Sequence, residues 1–143
     1  MREKQTVGSL IKQINTLYEK DFNLRLKGLG ITSSQCDVLK YLFESGEEFV
    51  NQHDIEKALS LKNPTVTGIL KRLDAKGFVI IVQNRTDKRC KNVYLTDKAY
   101  GIQRRMELDR KRIDKNLTLK MTEKEVAALT RALEKVLYNV QEP

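Results

Sequence analysis

The side chains best suited to chemistry lie in one short polar run, residues 84–89. This run carries the cations Arg85, Lys88 and Arg89 and a single acid, Asp87. A carboxylate two residues from an arginine on an extended chain lies on the same side of the backbone, so Asp87 is expected to orient the Arg89 guanidinium by a charge-assisted hydrogen bond. Cations held in this way suit a phosphate-bearing partner. A solvated turn is the alternative, because Asn, Thr, Asp and Lys are common turn residues.

The segments on either side of this run predict the two strands of a β-hairpin. Residues 78–82 precede the run and residues 90–95 follow it, and both are rich in the β-branched and aromatic residues that favour strands. Thr96 comes next and is expected to cap a helix. The cations therefore lie at the tip of the predicted hairpin, and residues 84–89 are its loop.

The segment before the hairpin predicts a helix with one apolar and one polar face. Asn63 is expected to cap this helix, and Pro64 is expected to take its first position, where a missing amide costs nothing. The apolar residues recur at helical spacing: Val66, Ile69, Leu70 and Leu73. The opposite face is expected to hold Pro64, Thr67, Gly68, Lys71 and Arg72, with Thr65 at its edge.

This polar face has the composition of a surface that enters a DNA groove. Its small residues permit close approach, so Asn63, Thr65 and Thr67 are expected to face base edges or the phosphates beside them. Lys71 and Arg72 are expected to neutralise phosphates. Any surface helix has a polar face, but this one directly precedes a basic hairpin.

Two further helices are predicted upstream. Thr32 and Gln35 form a capping box at the start of residues 33–45. Asn51 can cap the next helix, which is expected to bury Ile55, Ala58 and Leu59. The order of helix, turn, helix, strand, charged loop and strand is that of a winged helix-turn-helix, a motif that usually grips duplex DNA.

Long amphipathic helices are predicted at both ends of the chain, at about residues 6–27, 97–118 and 122–141. One small domain centred on the winged motif cannot cover their apolar stripes, so a second copy of the chain is expected to do so. The predicted fold class is mostly α with a small antiparallel β-hairpin. A single domain of residues 1–143 is expected, with a winged helix-turn-helix core at about 33–96 flanked by dimerisation helices.

The net charge of +8 is concentrated on the winged motif. Residues 62–112 hold 14 basic and 5 acidic side chains, whereas the rest of the chain holds 13 basic and 14 acidic ones. Such a field favours a polyanion, of which nucleic acid is the commonest. No apolar run approaches the ~20 residues of a membrane span and no signal peptide opens the chain, so a cytoplasmic protein without a membrane partner is expected.

Other kinds of site lack suitable residues. Cys36 and Cys90 do not make a disulfide framework, and His53 alone cannot supply a histidine-rich metal site, so no metal or cofactor is expected. The absence of a Ser-His-Asp or Cys-His candidate and of a glycine-rich phosphate loop argues against an enzyme. A winged helix that docks on another protein is the remaining alternative, although it does not explain why positive charge gathers on the helix and the hairpin.

These residues resemble the MarR family of bacterial transcription regulators over nearly the whole chain. The matching segments are residues 30–35, 63–73, 77–79 and 84–96. Most specific is the hairpin loop, where Asp87 and Arg89 look like the family's Asp-x-Arg, followed by Leu95 and Thr96. The resemblance implies that Arg89 enters the minor groove and that Asp87 orients it. It also implies an obligate homodimer on a pseudo-palindromic operator.

The leading hypothesis is therefore a homodimeric repressor that a small molecule or a redox signal releases from DNA. The resemblance implies small aromatic or phenolic ligands, zinc or peroxides as signals, but this chain lacks the first-helix cysteine of peroxide-sensing members. Cys36 is expected to pack in the core. Cys90 lies between Arg89 and Lys91, cations that could stabilise a thiolate, although a harmless strand cysteine is the favoured interpretation.

Overall fold

The computed structural model describes residues 4–141, which form six α-helices and one three-stranded antiparallel sheet. The helices are α1 (Val7–Gly28), α2 (Ser33–Ser45), α3 (Gln52–Leu59), α4 (Asn63–Ala75), α5 (Asp97–Leu117) and α6 (Glu123–Gln141). The strands are β1 (Val50–Asn51), β2 (Val79–Gln83) and β3 (Lys91–Leu95). The predicted fold class is confirmed, since the order of elements is that of a winged helix-turn-helix between longer terminal helices.

Side-chain caps fix where several helices begin. Thr32 Oγ1 accepts a hydrogen bond from Gln35 N at 3.2 Å, and Gln35 Oε1 accepts one from Thr32 N at 3.3 Å, which completes the predicted capping box of α2. Two other predicted caps, Asn51 at α3 and Thr96 at α5, also accept backbone N–H groups. Thr122 likewise caps α6 by accepting from Glu125 N. The helix starts are thus determined largely by local sequence.

The start of α4 differs from the prediction. Its N-cap is Lys62, which makes no side-chain cap hydrogen bond, so Asn63 is the first helical residue and not the cap. The Lys62 carbonyl already accepts from Val66 N at 3.1 Å, which moves the helix start back by one residue. The Asn63 amide instead donates to Glu56 Oε2 at 3.3 Å. Pro64 remains in the first turn, where it breaks no helical hydrogen bond.

The first of two compact units ends at Arg105, and its core lies between α2, α3, α4 and the sheet. The predicted apolar stripe of α4 is buried: Val66, Ile69, Leu70 and Leu73. On α3, Ile55 is buried, but Ala58 is exposed and Leu59 is half-buried, so burial of these two was wrongly predicted. Gln52 and Ile55, one turn apart, occupy the core side of this short helix instead.

β3 is the central strand of the sheet, because the strand order is β1-β3-β2. Val93 pairs with Val50 of β1 on one side and with Ile81 of β2 on the other. β1 was not predicted, since two residues carry no recognisable alternation. β2 and β3 each begin one residue later than predicted, which leaves Phe78 and Cys90 just outside the ladder.

The second compact unit begins at Met106 and contains the rest of α5 and all of α6. The apolar stripe of α6 is exposed, with Leu133 at 46% and Leu137 at 56%. In the first unit, α1 exposes a similar stripe that includes Leu10, Ile14 and Leu17. Across residues 4–141, none of the helices has the length and apolar character needed to cross a membrane.

Candidate nucleic-acid interface

The hairpin loop is shaped by hydrogen bonds from amide side chains. Asn84 Oδ1 accepts from Thr86 N at 2.8 Å and from Asp87 N at 3.1 Å. Gln83 Nε2 donates to the Lys88 carbonyl at 2.6 Å. Asn side chains commonly organise turns in this way, because their short carboxamide reaches the backbone two or three residues ahead. The amide side chains of Gln83 and Asn84 therefore help to set the course of the loop.

Asp87 and Arg89 lie together as predicted, but in a tight turn and not on an extended chain. Cys90 N donates to the Asp87 carbonyl at 2.9 Å, which closes the turn. Asp87 Oδ1 accepts from Arg89 N at 3.0 Å and from Arg89 Nε at 3.3 Å. One carboxylate oxygen thus holds both the backbone and the guanidinium of Arg89.

This pair orients an accessible cation. The side chain of Arg89 is 91% exposed and that of Asp87 is 46% exposed. Hydrogen bonds from the Arg89 backbone N–H and then from its guanidinium hold the pKa of Asp87 below its ordinary value. An ion pair this exposed contributes little to folding stability. Its effect is to direct the arginine, which stays available to a partner.

The Cys90 thiol lies against the same carboxylate. Its Sγ donates to Asp87 Oδ2 at 3.6 Å, and the side chain is half-buried. The sequence suggested cationic surroundings for this sulfur. The structure differs because the turn brings Asp87 back onto Cys90, so the hydrogen-bonding neighbour is an acid.

The outer face of α4 exposes most of the residues that were expected to meet DNA. Pro64, Thr65, Lys71 and Arg72 are exposed, as is Asn63 at the start of the helix. Among the described residues, a Cβ added at Gly68 would meet no atom within 4 Å apart from the adjacent residues and the backbone of its own helix. A shallow cavity of about 550 Å³ separates this face from the start of α2. The start of α4 therefore presents a surface of small side chains, and the cations Lys71 and Arg72 lie further along the helix.

Thr67 is placed differently from its neighbours on this face. It is half-buried, and its Oγ1 accepts a hydrogen bond from Gln52 Nε2 at 2.9 Å. Gln52 is the first residue of α3 and is only 5% exposed. Sequence reasoning missed Gln52, because a polar residue at a helix start is ordinary and its partner lies 15 positions away.

Lys76, a second residue that sequence reasoning missed, fastens the end of α4. Its Nζ donates to the Gly30 carbonyl and to Gln35 Oε1, both at 2.7 Å. Its carbonyl accepts from Lys98 Nζ at 2.6 Å. These bonds join the end of α4 to the start of α2 and to the first turn of α5. A lysine just after a helix gives no sequence signal of such a role.

The remaining reactive side chains have structural surroundings. Cys36 is 4% exposed, and burial, followed by the charge of Asp37, raises the pKa of its thiol to about 11. Cys36 is therefore a core residue, as predicted. Within the described part of the chain, no group of three His, Cys, Asp or Glu side chains could hold a metal ion.

Known proteins with similar sequences point to a single family. A sequence model of the MarR family matches residues 31–91. Multiple antibiotic resistance protein MarR of Escherichia coli K12 is 32% identical over 132 residues, which are 92% of this chain and 90% of that protein. HTH-type transcriptional regulator TtmR of Methylorubrum extorquens is 38% identical over 77 residues, which are 54% of this chain but only 38% of TtmR.

Solved structures agree with the sequence comparison. The apo form of MarR from E. coli matches with a TM-score of 0.75 and 31% identity, over 95% of this chain and 99% of that one. The S. aureus MepR–DNA complex matches with a TM-score of 0.71 and 25% identity, over 96% of this chain and 99% of that one. The likeness to MarR covers nearly all of both proteins in sequence and in structure. The chain thus belongs to the MarR family of transcription regulators, as the resemblance of its motifs predicted.

Proposed function

We propose that this regulator is a homodimeric repressor that binds a pseudo-palindromic DNA operator through α4 and the hairpin loop. The observation that carries the proposal is the Asp87–Arg89 pair, which holds an exposed guanidinium in one orientation. Family membership supports the DNA-binding part of the proposal, and the related MepR has been solved with DNA. Lys71 and Arg72 add two exposed cations on α4.

The proposed contacts follow from the chemistry of each exposed group. Arg89, oriented by Asp87, enters the minor groove, whose negative potential attracts arginine. Arg85 and Lys88 of the hairpin loop and Lys71 and Arg72 of α4 neutralise phosphates. The smaller residues at the start of α4 meet base edges or the phosphates beside them: Asn63, Pro64, Thr65 and Thr67.

The apolar stripes of α1 and α6 support the dimer. Large apolar side chains that stay exposed along a whole helix face usually mark a protein interface. A second copy of the chain is the proposed partner, since most oligomers are symmetric dimers. Two copies of α4 related by a twofold axis would read two inverted half-sites, which explains the proposed operator symmetry.

The signal is proposed to act on the distance between the two α4 helices. A small aromatic or phenolic effector that binds one arrangement of the dimer more tightly would shift the population away from the DNA-binding arrangement. Oxidation of Cys90 is the rival signal, because the thiol shares the carboxylate that orients Arg89.

Docking on another protein is a second candidate function, and one observation favours it. β2 is an edge strand, and it exposes Ile80 and Val82 at 53% and 45%. An exposed apolar edge strand can pair with a strand of a partner. This candidate leaves the charge on α4 and the orientation of Arg89 without a role.

Binding measured over a range of salt concentrations distinguishes the two functions. A DNA-binding regulator should lose affinity for duplex DNA steeply as salt rises, and Lys71→Gln should reduce the slope of log K against log salt by about one unit. Lys135→Gln removes the same charge from α6 and should leave the slope unchanged. If the parent protein binds no duplex even at low salt, the docking function is favoured.

Substitution of the hairpin pair tests the role of Asp87. Arg89→Ala should weaken operator binding because it removes both a charge and a minor-groove contact. Asp87→Ala should also weaken binding because Arg89 loses its orientation, although charge counting alone predicts tighter binding. Asp87→Asn, which keeps an acceptor oxygen, should retain more affinity. Tighter operator binding by Asp87→Ala, measured by fluorescence anisotropy, would contradict the positioning role.

The dimer interface can be tested without truncating the chain. Leu133 is exposed in the single chain, so Leu133→Glu should leave the fold intact but place a charge inside the dimer interface. Sedimentation should then show monomers and the operator affinity should fall. Arg131→Gln makes the same charge change on the opposite face of α6 and should remain dimeric. A Leu133→Glu protein that stays dimeric would exclude α6 from the interface.

Mild peroxide treatment separates the two proposed signals. If Cys90 is the sensor, hydrogen peroxide converts its thiol to a sulfenic acid with release of water, and operator affinity falls in the parent but not in Cys90→Ser. Identical behaviour of the two proteins would exclude the redox signal and leave a ligand. Mass spectrometry of the treated parent reports whether Cys90 has gained an oxygen.

A further inference from the structure

The hydroxyl of Thr67 is bonded differently from those of comparable threonines. Thr16 in α1 and Thr130 in α6 each donate the hydroxyl proton to the carbonyl four residues earlier, at 2.9 and 2.8 Å. Thr67 makes no such bond within residues 4–141. Its oxygen instead accepts from Gln52 Nε2 at 2.9 Å. The Thr67 side chain is therefore turned towards α3 and not back onto its own helix.

Gln52 is well placed to hold this orientation. It is 5% exposed, and a buried amide has a strong requirement for a hydrogen-bonding partner. The residue just before it, Asn51, caps α3 through its side chain and pairs with Asn92 of the sheet. The backbone at Gln52 is thus fixed by both the sheet and the helix start. Turning the buried amide away from Thr67 would break the hydrogen bond that its N–H makes there.

The bond leaves the hydroxyl proton of Thr67 available to a partner. A hydroxyl has one proton and two acceptor lone pairs; one lone pair of Thr67 Oγ1 accepts from Gln52, and the proton donates to no group within residues 4–141. We infer that Gln52 is a positioning residue that presents Thr67 as a hydrogen-bond donor to a base in the major groove, which selects that base at one position of each half-site. This inference rests on the proposed DNA-binding function and names a specificity determinant within it.

The acceptor atoms in the major groove determine which bases can take a hydrogen bond from the Thr67 hydroxyl. Guanine offers N7 and O6, adenine offers N7 and thymine offers O4 as acceptors, whereas cytosine offers an amino donor. The position that faces Thr67 should therefore exclude cytosine. Gly68, the next residue, carries no side chain and has open space where a Cβ would lie, so the helix backbone can approach the groove floor on that side.

Selection from a pool of randomised duplexes tests the inference. The parent should show one position per half-site that excludes cytosine, and Thr67→Ser, which keeps the donor, should retain that preference. Thr67→Val should reduce discrimination at this position by about tenfold and leave other positions unchanged, since a direct base contact is worth that much. Gln52→Met, which frees the hydroxyl to bond its own helix, should reduce discrimination at the same position.

A double substitution distinguishes positioning from simple structural support. If Gln52 acts through Thr67, then Gln52→Met added to Thr67→Val causes no further loss of discrimination. A structural role would instead lower affinity for all duplexes equally in both backgrounds, and that result would overturn the inference. Unchanged base preference in Thr67→Val, which leaves the buried amide in place, would also overturn it. A parent that binds no duplex at low salt would reject the proposed function itself.

Discussion

Burial of one face of α4 decides where every other residue of that helix can lie. Val66 and Leu73 are fully buried, and Leu70 is 1% exposed. Removing such side chains from water contributes about 25 cal/mol per Å² of apolar area, so rotation of the helix about its axis is strongly opposed. Successive residues differ by about 100° in direction, and Lys71 and Arg72 consequently have only solvent to face. The polar surface of α4 is thus a consequence of core packing.

The hairpin loop depends on a different kind of interaction. Its hydrogen bonds join residues that are close in sequence, and most of their acceptors are amide or carboxylate oxygens. These bonds orient side chains more than they stabilise the fold. Asp87 illustrates the difference: Arg89 lowers the pKa of Asp87, yet the Arg89 side chain is 91% exposed. α4 is positioned by a core that resists unfolding, whereas Arg89 is positioned by a turn that could open locally without disturbing that core.

Local features were predictable from sequence, and contacts between distant residues were not. The capping box of α2, the apolar stripe of α4 and the proximity of Asp87 to Arg89 each depend on residues within four positions of one another. Asn63 was misassigned because its amide is drawn to Glu56 on the neighbouring helix. The Gln52–Thr67 bond and the Lys76 contacts join residues 15 to 46 positions apart, for which periodicity carries no information.

The residues of the hairpin loop differ in whether their side chains shape the turn, and this difference determines which of them can be substituted during evolution. Asn84 and Asp87 build the turn with their side chains, whereas Thr86 and Lys88 contribute only backbone groups to the described hydrogen bonds. The side chain of Arg85 likewise forms none of the bonds that shape the turn in the described structure. Arg85, Thr86 and Lys88 can therefore be substituted while Arg89 keeps its orientation. Substitutions at these positions would change how strongly the loop holds DNA phosphates, without first requiring a new loop.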